Sequence, residues 1–332
     1  MVALIAKRIG AMLVILFLLV VVLFFLKQIS PGDPVHLMLG GQASATAIAH
    51  ERHVLGLDRP VTSQFAHYLD RLIFHADPGM SYVTRRSVRT DLATFMPATL
   101  ELAAAGLIIA LVLGTILAFA TTLKVRGSSA FRVILIVGAS TPAFLLGVAG
   151  VVLFYEHLGW LPSSGRTSYL NAPTGPTHLL TVDSLLHGRL NLFWDAIKHL
   201  VLPAVSIALG PAVAIGRVLR SSLIEDLGSD YARTARAKGL TELRILRKHI
   251  LRNAIGAAMS MTGLQVGLMF AGVLVVEQVF SWPGIGLYVS QAIQHEDFPA
   301  IAGVTLVLGA VYVVINTIVD VLQAVADPRI KV

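Results

Sequence analysis

Six long apolar stretches divide the chain, at about Ile9–Ile29, Ala98–Leu123, Phe131–Tyr155, Leu200–Leu219, Ile255–Phe280 and Ile301–Val325. Each is close to the ~20 residues that carry a helix across a ~30 Å hydrocarbon core at ~1.5 Å per residue. Lipid offers no partner to a bare N–H or C=O, so a crossing segment must satisfy its backbone internally, as a helix. An all-α, polytopic membrane protein of about six transmembrane helices is therefore expected. The charge balance agrees, since 14% of the 332 residues are charged against ~25% in typical soluble domains. The fourth stretch is the most interrupted, by Pro203, Gly210 and Pro211; neighbouring helices re-satisfy the carbonyls that such breaks free.

Basic residues set the expected orientation. With the N-terminus inside, the inside segments carry Lys7 and Arg8, then Lys124, Arg126 and Arg132, then Arg217 to Arg252, and finally Arg329 and Lys331. The opposite connection Ser281–Ala300 has no Lys or Arg, only Glu296 and Asp297. An even number of spans with both termini cytoplasmic follows from this asymmetry. The six arginines between Ser30 and Met96 do not overturn it, because long segments translocate largely regardless of charge. The run from Ile9 to Leu26 also precedes Ala43-Ser44-Ala45, which resembles a signal-peptidase site. That run exceeds the ~7–15 apolar residues of a signal peptide, so a retained first span is expected.

Three regions are expected. Residues 1–96 form the first span and an external, partly helical cap, with turn signals at Ser30–Pro34 and Asp77–Gly79 and helical periodicity from Ala47 to Phe74. Residues 97–326 form a five-helix core that contains a cytoplasmic loop at 220–253, and 327–332 a cytoplasmic tail. The connection Glu156–His199 has a Pro/Gly-rich start and an amphipathic stretch near Leu185–Ile197, expected against the outer interface.

The segment from Asp230 to Gly239 carries the most information. Asp230 suits an N-cap, where a carboxylate meets unpaired helix N–H groups. Ala232, Ala235 and Gly239 recur at helical spacing as a smooth face for close approach of a partner, flanked by Arg233, Arg236 and Lys238. Gly239 suits a helix stop, because glycine reaches the left-handed conformation without strain. Two readings remain open on physics alone: a basic loop held by anionic headgroups, or a helix that inserts into a cytoplasmic protein.

Other chemistry finds little support. Glu101, Glu277 and Asp320 lie near span ends, where a structural role is expected over a proton relay. Gln265 and Asn316 are expected to bond between helices. His50 and His53 share a face but lack a third ligand, so no metal site is assigned. The chain has no cysteine and no Gly-x-x-x-x-Gly-Lys-Ser/Thr loop, hence no thiolate chemistry and no P-loop for ATP. No Ser/His/Asp hydrolase motif is recognisable, so no catalytic residue is assigned. A net charge of +7 sits in short connections rather than on an exposed basic domain, which argues against nucleic acid.

The run Asp230–Leu240, continued by His249-Ile250-Leu251-Arg252-Asn253-Ala254, resembles the cytoplasmic motif of binding-protein-dependent ABC permeases, and within them the dipeptide/oligopeptide/nickel branch. Three more segments agree in order: Ser30–Pro34 after the first span, Glu277–Gly286 closing the fifth, and Asp327–Ile330 at the end. One departure stands out. The general pattern places Glu-Ala-Ala before the glycine and Ile-x-Leu-Pro after it, where this chain has Arg233-Thr234-Ala235 and His249-Ile250-Leu251-Arg252. The resemblance implies a type I ABC permease (MetI-like) fold in the cell membrane of a prokaryote. It implies that Asp230, Tyr231, Ala232, Arg233, Ala235, Arg236, Lys238 and Gly239 couple to cytoplasmic ATPases. Implied partners are a second, homologous permease subunit, two ABC ATPase subunits or one fused, an extracytoplasmic substrate-binding protein, and membrane lipid. This chain would itself hold no cofactor, ATP and Mg being bound by the ATPases. Short peptides are the expected cargo. Nickel, glutathione or another small solute are alternatives within the branch, and an ion-gradient-driven secondary transporter is the rival from another class.

Overall fold

In the computed structural model, residues 2–29, 35, 39, 43–170, 172 and 175–326 are described. Two stretches carrying the resemblance, Ser30–Pro34 and Asp327–Ile330, lie outside the described residues, as do the side chains of Lys7, Arg8, His249, Arg252 and Asp320. Helix α1 covers Val2–Ile29, α2 Ala45–Val54, α3 Val61–His75 and α4 Val88–Thr122. Helix α5 covers Ser128–Ser140 and α6 Ala143–Gly150, which continues as a π-helical segment Val151–His157. Then come α7 Leu180–Leu186, α8 Leu190–Leu227, α9 Asp230–Ala237 and α10 Glu242–Ile245. A π-helical segment Leu246–Ile250 leads into α11 Leu251–Val279, followed by α12 Ile285–Gln294 and α13 Phe298–Ala326.

Among the described residues, five helices are long and apolar enough to cross a membrane, and six if the bent pair Ser128–Ser140 and Ala143–His157 counts as one span. The expected all-α, multi-span architecture is the one adopted. Two spans differ from expectation, in opposite senses. The third, Phe131–Tyr155, is two helices that meet at 110°. Pro142 causes the break: it has no N–H to donate, and its ring drives the preceding residue out of the helical region. Thr141 is accordingly extended, at φ −95° and ψ 134°. Gly138 O, which Pro142 leaves without its helical donor, takes the Thr141 N–H at 3.1 Å, and the hydroxyls add bonds of their own, Ser140 Oγ donating to Ile136 O at 2.8 Å and Thr141 Oγ1 to Val137 O at 3.2 Å.

The fourth span behaves the other way. Pro203 and Pro211 sit inside α8, which runs unbroken for 38 residues. It is enclosed by protein: 72% of its most apolar window is buried, against 17% for α1. Helices α5, α6, α7 and α11 all pack on it, so tertiary contacts hold a helix that propensity alone would break. The stretch Leu185–Ile197 is not one interfacial helix. Gly188, at φ +66°, turns the chain between α7 and the first turns of α8.

The chain divides into two compact units, Met1–Met96 with Ile285–Val311, and Pro97–Gly284 with Tyr312–Val332. In the first, buried Asp297 accepts hydrogen bonds from Ser81 Oγ at 2.5 Å and from the backbone N–H of Val83 and Ala300, each at 3.2 Å. Asp91 is ion-paired with Arg86 at 2.6 Å. In the second, a polar seam closes one end of the bundle. Glu101 pairs with Arg166 and accepts from Thr181 N and Oγ1 at 2.7 and 2.6 Å. Thr99 Oγ1 donates to the buried carboxylate of Glu277 at 2.6 Å, and Trp282 Nε1 to Ala98 O at 2.9 Å. Gln265 and Asn316, expected to bridge helices, bond one turn back in their own: Gln265 Nε2 to Met261 Sδ at 3.6 Å, Asn316 Nδ2 to Tyr312 O at 2.9 Å. Side chains of that length reach the preceding turn more readily than a neighbour.

Helices α4 and α8 touch through their backbones. A Cβ added at Gly216 would lie 2.8 Å from Gly114 O, and one at Gly114 would lie 2.8 Å from Ala212 O. Small residues permit this approach, and dispersion between closely packed backbones is what holds helices together where lipid removes the hydrophobic drive. Gly216→Val is expected to force the pair apart and destabilise the protein by about 1–3 kcal/mol, the usual range for overpacking. Thermal unfolding in detergent checks this, with Gly10→Val, whose Cβ would meet nothing within 4 Å, as a neutral control.

Candidate functional site

The segment singled out in the sequence forms a tight corner between α8 and α11. Helix α8 runs past the apolar limit at Leu219 to Leu227, carrying Arg217 and Arg220 on it. Ser229, not Asp230, occupies the N-cap of α9: its backbone is extended at φ −72° and ψ 160°, and its carbonyl takes the first helical bond, from Arg233 N at 3.1 Å. Ser229 Oγ turns back to donate to Asp226 O, tying the corner to the end of α8. Asp230 is the first helical residue, where its charge still complements the positive helix end.

The far end is a full glycine stop. Gly239 has φ +77°, its N–H donates to Arg236 O at 2.8 Å, and Leu240 N donates to Ala235 O at 3.3 Å. That pair of bonds satisfies two otherwise open carbonyls, and the left-handed residue between them is nearly strain-free only as glycine.

The small face points inward, contrary to expectation. Ala232 is 0% and Ala235 7% exposed. Both pack into a cluster with Leu219 and Leu223 of α8, Ile245 of α10, Leu246 and Ile250 of the π-helical segment, and Ala254 and Ala258 of α11. Alanines recur here because α9 lies flat against the ends of its own helices, where a larger side chain would not fit. The face left free is the polar one, with Asp230, Tyr231, Arg233, Thr234, Lys238 and Gly239 all exposed. Asp230 and Arg233 form an exposed pair at 3.5 Å.

Arg236 locks the corner. Its Nε and Nη2 donate to the two carboxylate oxygens of Glu242 at 2.6 and 3.2 Å, while Nη1 donates to Leu227 O at 3.1 Å. One planar fork thus joins the end of α8, α9 and the start of α10. Asn253 Nδ2 donates to Tyr231 Oη at 3.3 Å, adding α11. Glu242 and the bond of Asn253 to Tyr231 escaped the sequence reading, because pairing across a glycine stop follows no helical period. Thr241, with extended backbone just before α10, was the available hint that a new helix begins with an acidic residue. His53, considered as a metal ligand, is instead bonded to Asp58 at 2.8 Å.

Hydrogen bonds from Arg236 hold the Glu242 carboxyl below its ordinary value of 4.5. A depressed carboxylate contributes stability that is complete above its unfolded value and is lost as pH falls through the folded one. Amide exchange across Gly239–Ile245, corrected for intrinsic rates, is therefore expected to show constant protection from neutral pH down to about 5 and falling protection below the ordinary carboxylate range near ~4.3. Glu242→Gln should lower the protection at neutral pH and abolish its decline in acid.

Residues 106–332 match the family described as binding-protein-dependent transport system inner membrane component, and residues 1–103 its N-terminal companion. Among curated relatives, the chain is 40% identical over 313 residues to the probable D,D-dipeptide transport system permease protein DdpB of Escherichia coli strain K12, covering 93% of this chain and 92% of that one. It is 37% identical to the di/tripeptide transport system permease protein DppB of Pseudomonas aeruginosa, over 100% of this chain and 99% of the relative. With the dipeptide transport system permease protein DppB of Alkalihalophilus pseudofirmus the identity is 35%, over 98% of both.

Proposed function

Because the chain belongs to the family of binding-protein-dependent transport system inner membrane components, we propose that it is one membrane subunit of an ATP-driven importer of short peptides, gripped by its ATPases at α9. It is a multi-pass protein of the cell membrane. The peptide cargo is supported by the relatives, whose names specify D,D-dipeptides, di/tripeptides and dipeptides. The observation that carries the coupling role is the two-faced packing of α9: alanines buried on its own bundle, charges and the Tyr231 ring exposed.

A handle of this kind needs both halves. The exposed Asp230, Tyr231, Arg233 and Lys238 offer a partner hydrogen bonds and charge. The buried Ala232 and Ala235, with the Arg236 fork, make a push on α9 a push on α8 and α11. ATPase closure would then choose between two packings of the bundle that differ by a few kcal/mol, which is alternating access. In this reading a second, homologous permease completes the path and two ATPases, or one fused pair, hold ATP and Mg. An external binding protein delivers cargo, seated on the cap within residues 1–96. This chain contributes no catalysis and no cofactor, and residues 220–253 and both termini lie in the cytoplasm.

Arg233→Glu is expected to leave insertion and melting temperature unchanged while lowering substrate-stimulated ATP hydrolysis in the reconstituted complex about tenfold, the effect of ~1.4 kcal/mol of coupling. At Gly239 an added Cβ meets nothing within 4 Å of this chain, so within the fold a substitution there acts chiefly through backbone strain. Gly239→Asn should retain coupling, since asparagine tolerates the left-handed region, and Gly239→Val should lose it. Full coupling in both Arg233→Glu and Gly239→Val would sink the assignment.

A further inference from the structure

A cavity of about 650 Å³ lies within the first unit, at the C-terminal end of α1. Leu23, Phe24 and Lys27 of α1 form one wall, and residues of α2 and α3 form others. Aromatic packing fixes α3 on α1: Phe24 lies 5.0 Å from Phe65 and 6.0 Å from Tyr68, and Phe25 lies 6.5 Å from Phe65, between ring centroids. Lys27 and Arg71 line the same space and act on one another as like charges. Among the described residues neither is in an ion pair. Among the described residues, Arg71 Nε and Tyr68 Oη are buried with no hydrogen-bond partner.

Among the described residues, neither acid of the lining, Glu51 or Asp77, is ion-paired with these cations; Asp77 Oδ1 accepts the Gly79 N–H at 3.0 Å. Counting Lys27, Arg59 and Arg71 against Glu51 and Asp77, the lining keeps one surplus positive charge before His67 is considered. Two half-buried like charges beside two open donors are costly to hold together, and an anion between them offsets that cost. A guanidinium with a phenol beside it presents the planar and single donors that suit phosphate oxygens.

We infer that this cavity holds the phosphate of an anionic phospholipid headgroup. Position favours a lipid as the source. Lys27 stands in the last turn of α1, whose Gly10–Ile29 segment has a mean hydropathy of 2.9, the depth at which Lys and aromatic side chains meet headgroups. Helix α3 carries Ile73 and Phe74 exposed, Phe74 at 76%, beyond the cavity, apolar surface suited to the acyl region. The site does not depend on the transport reading.

The test is native mass spectrometry of the full chain in an uncharged detergent, titrated with phosphatidylglycerol, with phosphatidylcholine of the same acyl chains, and with inorganic phosphate as competitor. Phosphatidylglycerol is expected to bind about tenfold more tightly than phosphatidylcholine, whose choline cation cancels the phosphate charge and is repelled by Lys27 and Arg71. Lys27→Gln with Arg71→Gln should erase that preference, and Lys27→Arg with Arg71→Lys should keep it. Should the double variant fail to fold, Arg71→Gln alone is read the same way. Equal binding of the two lipids, a preference unchanged by the Gln variants, or displacement of phosphatidylglycerol by millimolar phosphate would overturn the inference, the last by showing a free-anion site.

Discussion

Inside a bilayer no water stands ready to satisfy an open carbonyl, and that constraint orders most of this molecule. It makes every crossing element a helix, and it dictates what may happen where a helix is interrupted. At Thr141-Pro142 the helix stops, and the hydroxyls of Ser140 and Thr141 cover the carbonyls of Ile136 and Val137. At Pro203 and Pro211 the helix continues, because α8 is wrapped by its neighbours rather than by lipid. The same residue type therefore has two outcomes, decided by surroundings. Close contact of α4 with α8 through Gly114 and Gly216 follows from the same scarcity of driving force, since only small residues bring two backbones near enough to attract.

Where the chain leaves lipid, a different economy of contacts applies. Helix α9 has eight residues, too few to persist alone in water. It persists because its alanines complete a cluster built from α8, α10 and α11, and because a glycine stop and an arginine fork close both ends. Stability and exposure are assigned to opposite sides of one short element. The buried seam of Glu101, Arg166, Glu277 and Trp282 at the Trp282 end of the second unit does comparable work, joining segments distant in sequence through charge-assisted bonds to the two carboxylates, a neutral bond from Trp282 and a cation–π contact.

The spans were legible because hydropathy over about 20 residues reads the solvent directly. Hydropathy does not read direction, so an apolar run through Thr141-Pro142 looked like one rod; the X-Pro step was the signal that pointed to the bend. Nor does it read where a helix ends. The apolar run gives out at Leu219 between Arg217 and Arg220, yet charge marks the arrival of water, not the end of hydrogen bonding, and α8 continues to Leu227. For α9 the period correctly grouped Ala232 with Ala235, but a period tells which residues share a side and not what covers it. The Arg236–Glu242 pair was out of reach, since it spans a left-handed turn whose geometry no spacing rule encodes.

One consequence of the inward-facing alanines concerns change over generations. Ala232 and Ala235 admit no growth, so drift at those positions is curtailed by the chain's own interior. Asp230, Arg233 and Lys238 touch nothing that the fold requires, and are free to be exchanged whenever whatever lies opposite is exchanged. Under the docking role proposed for α9, a lineage could therefore retune that contact through charge swaps on one flank of an eight-residue helix, leaving the architecture behind it untouched.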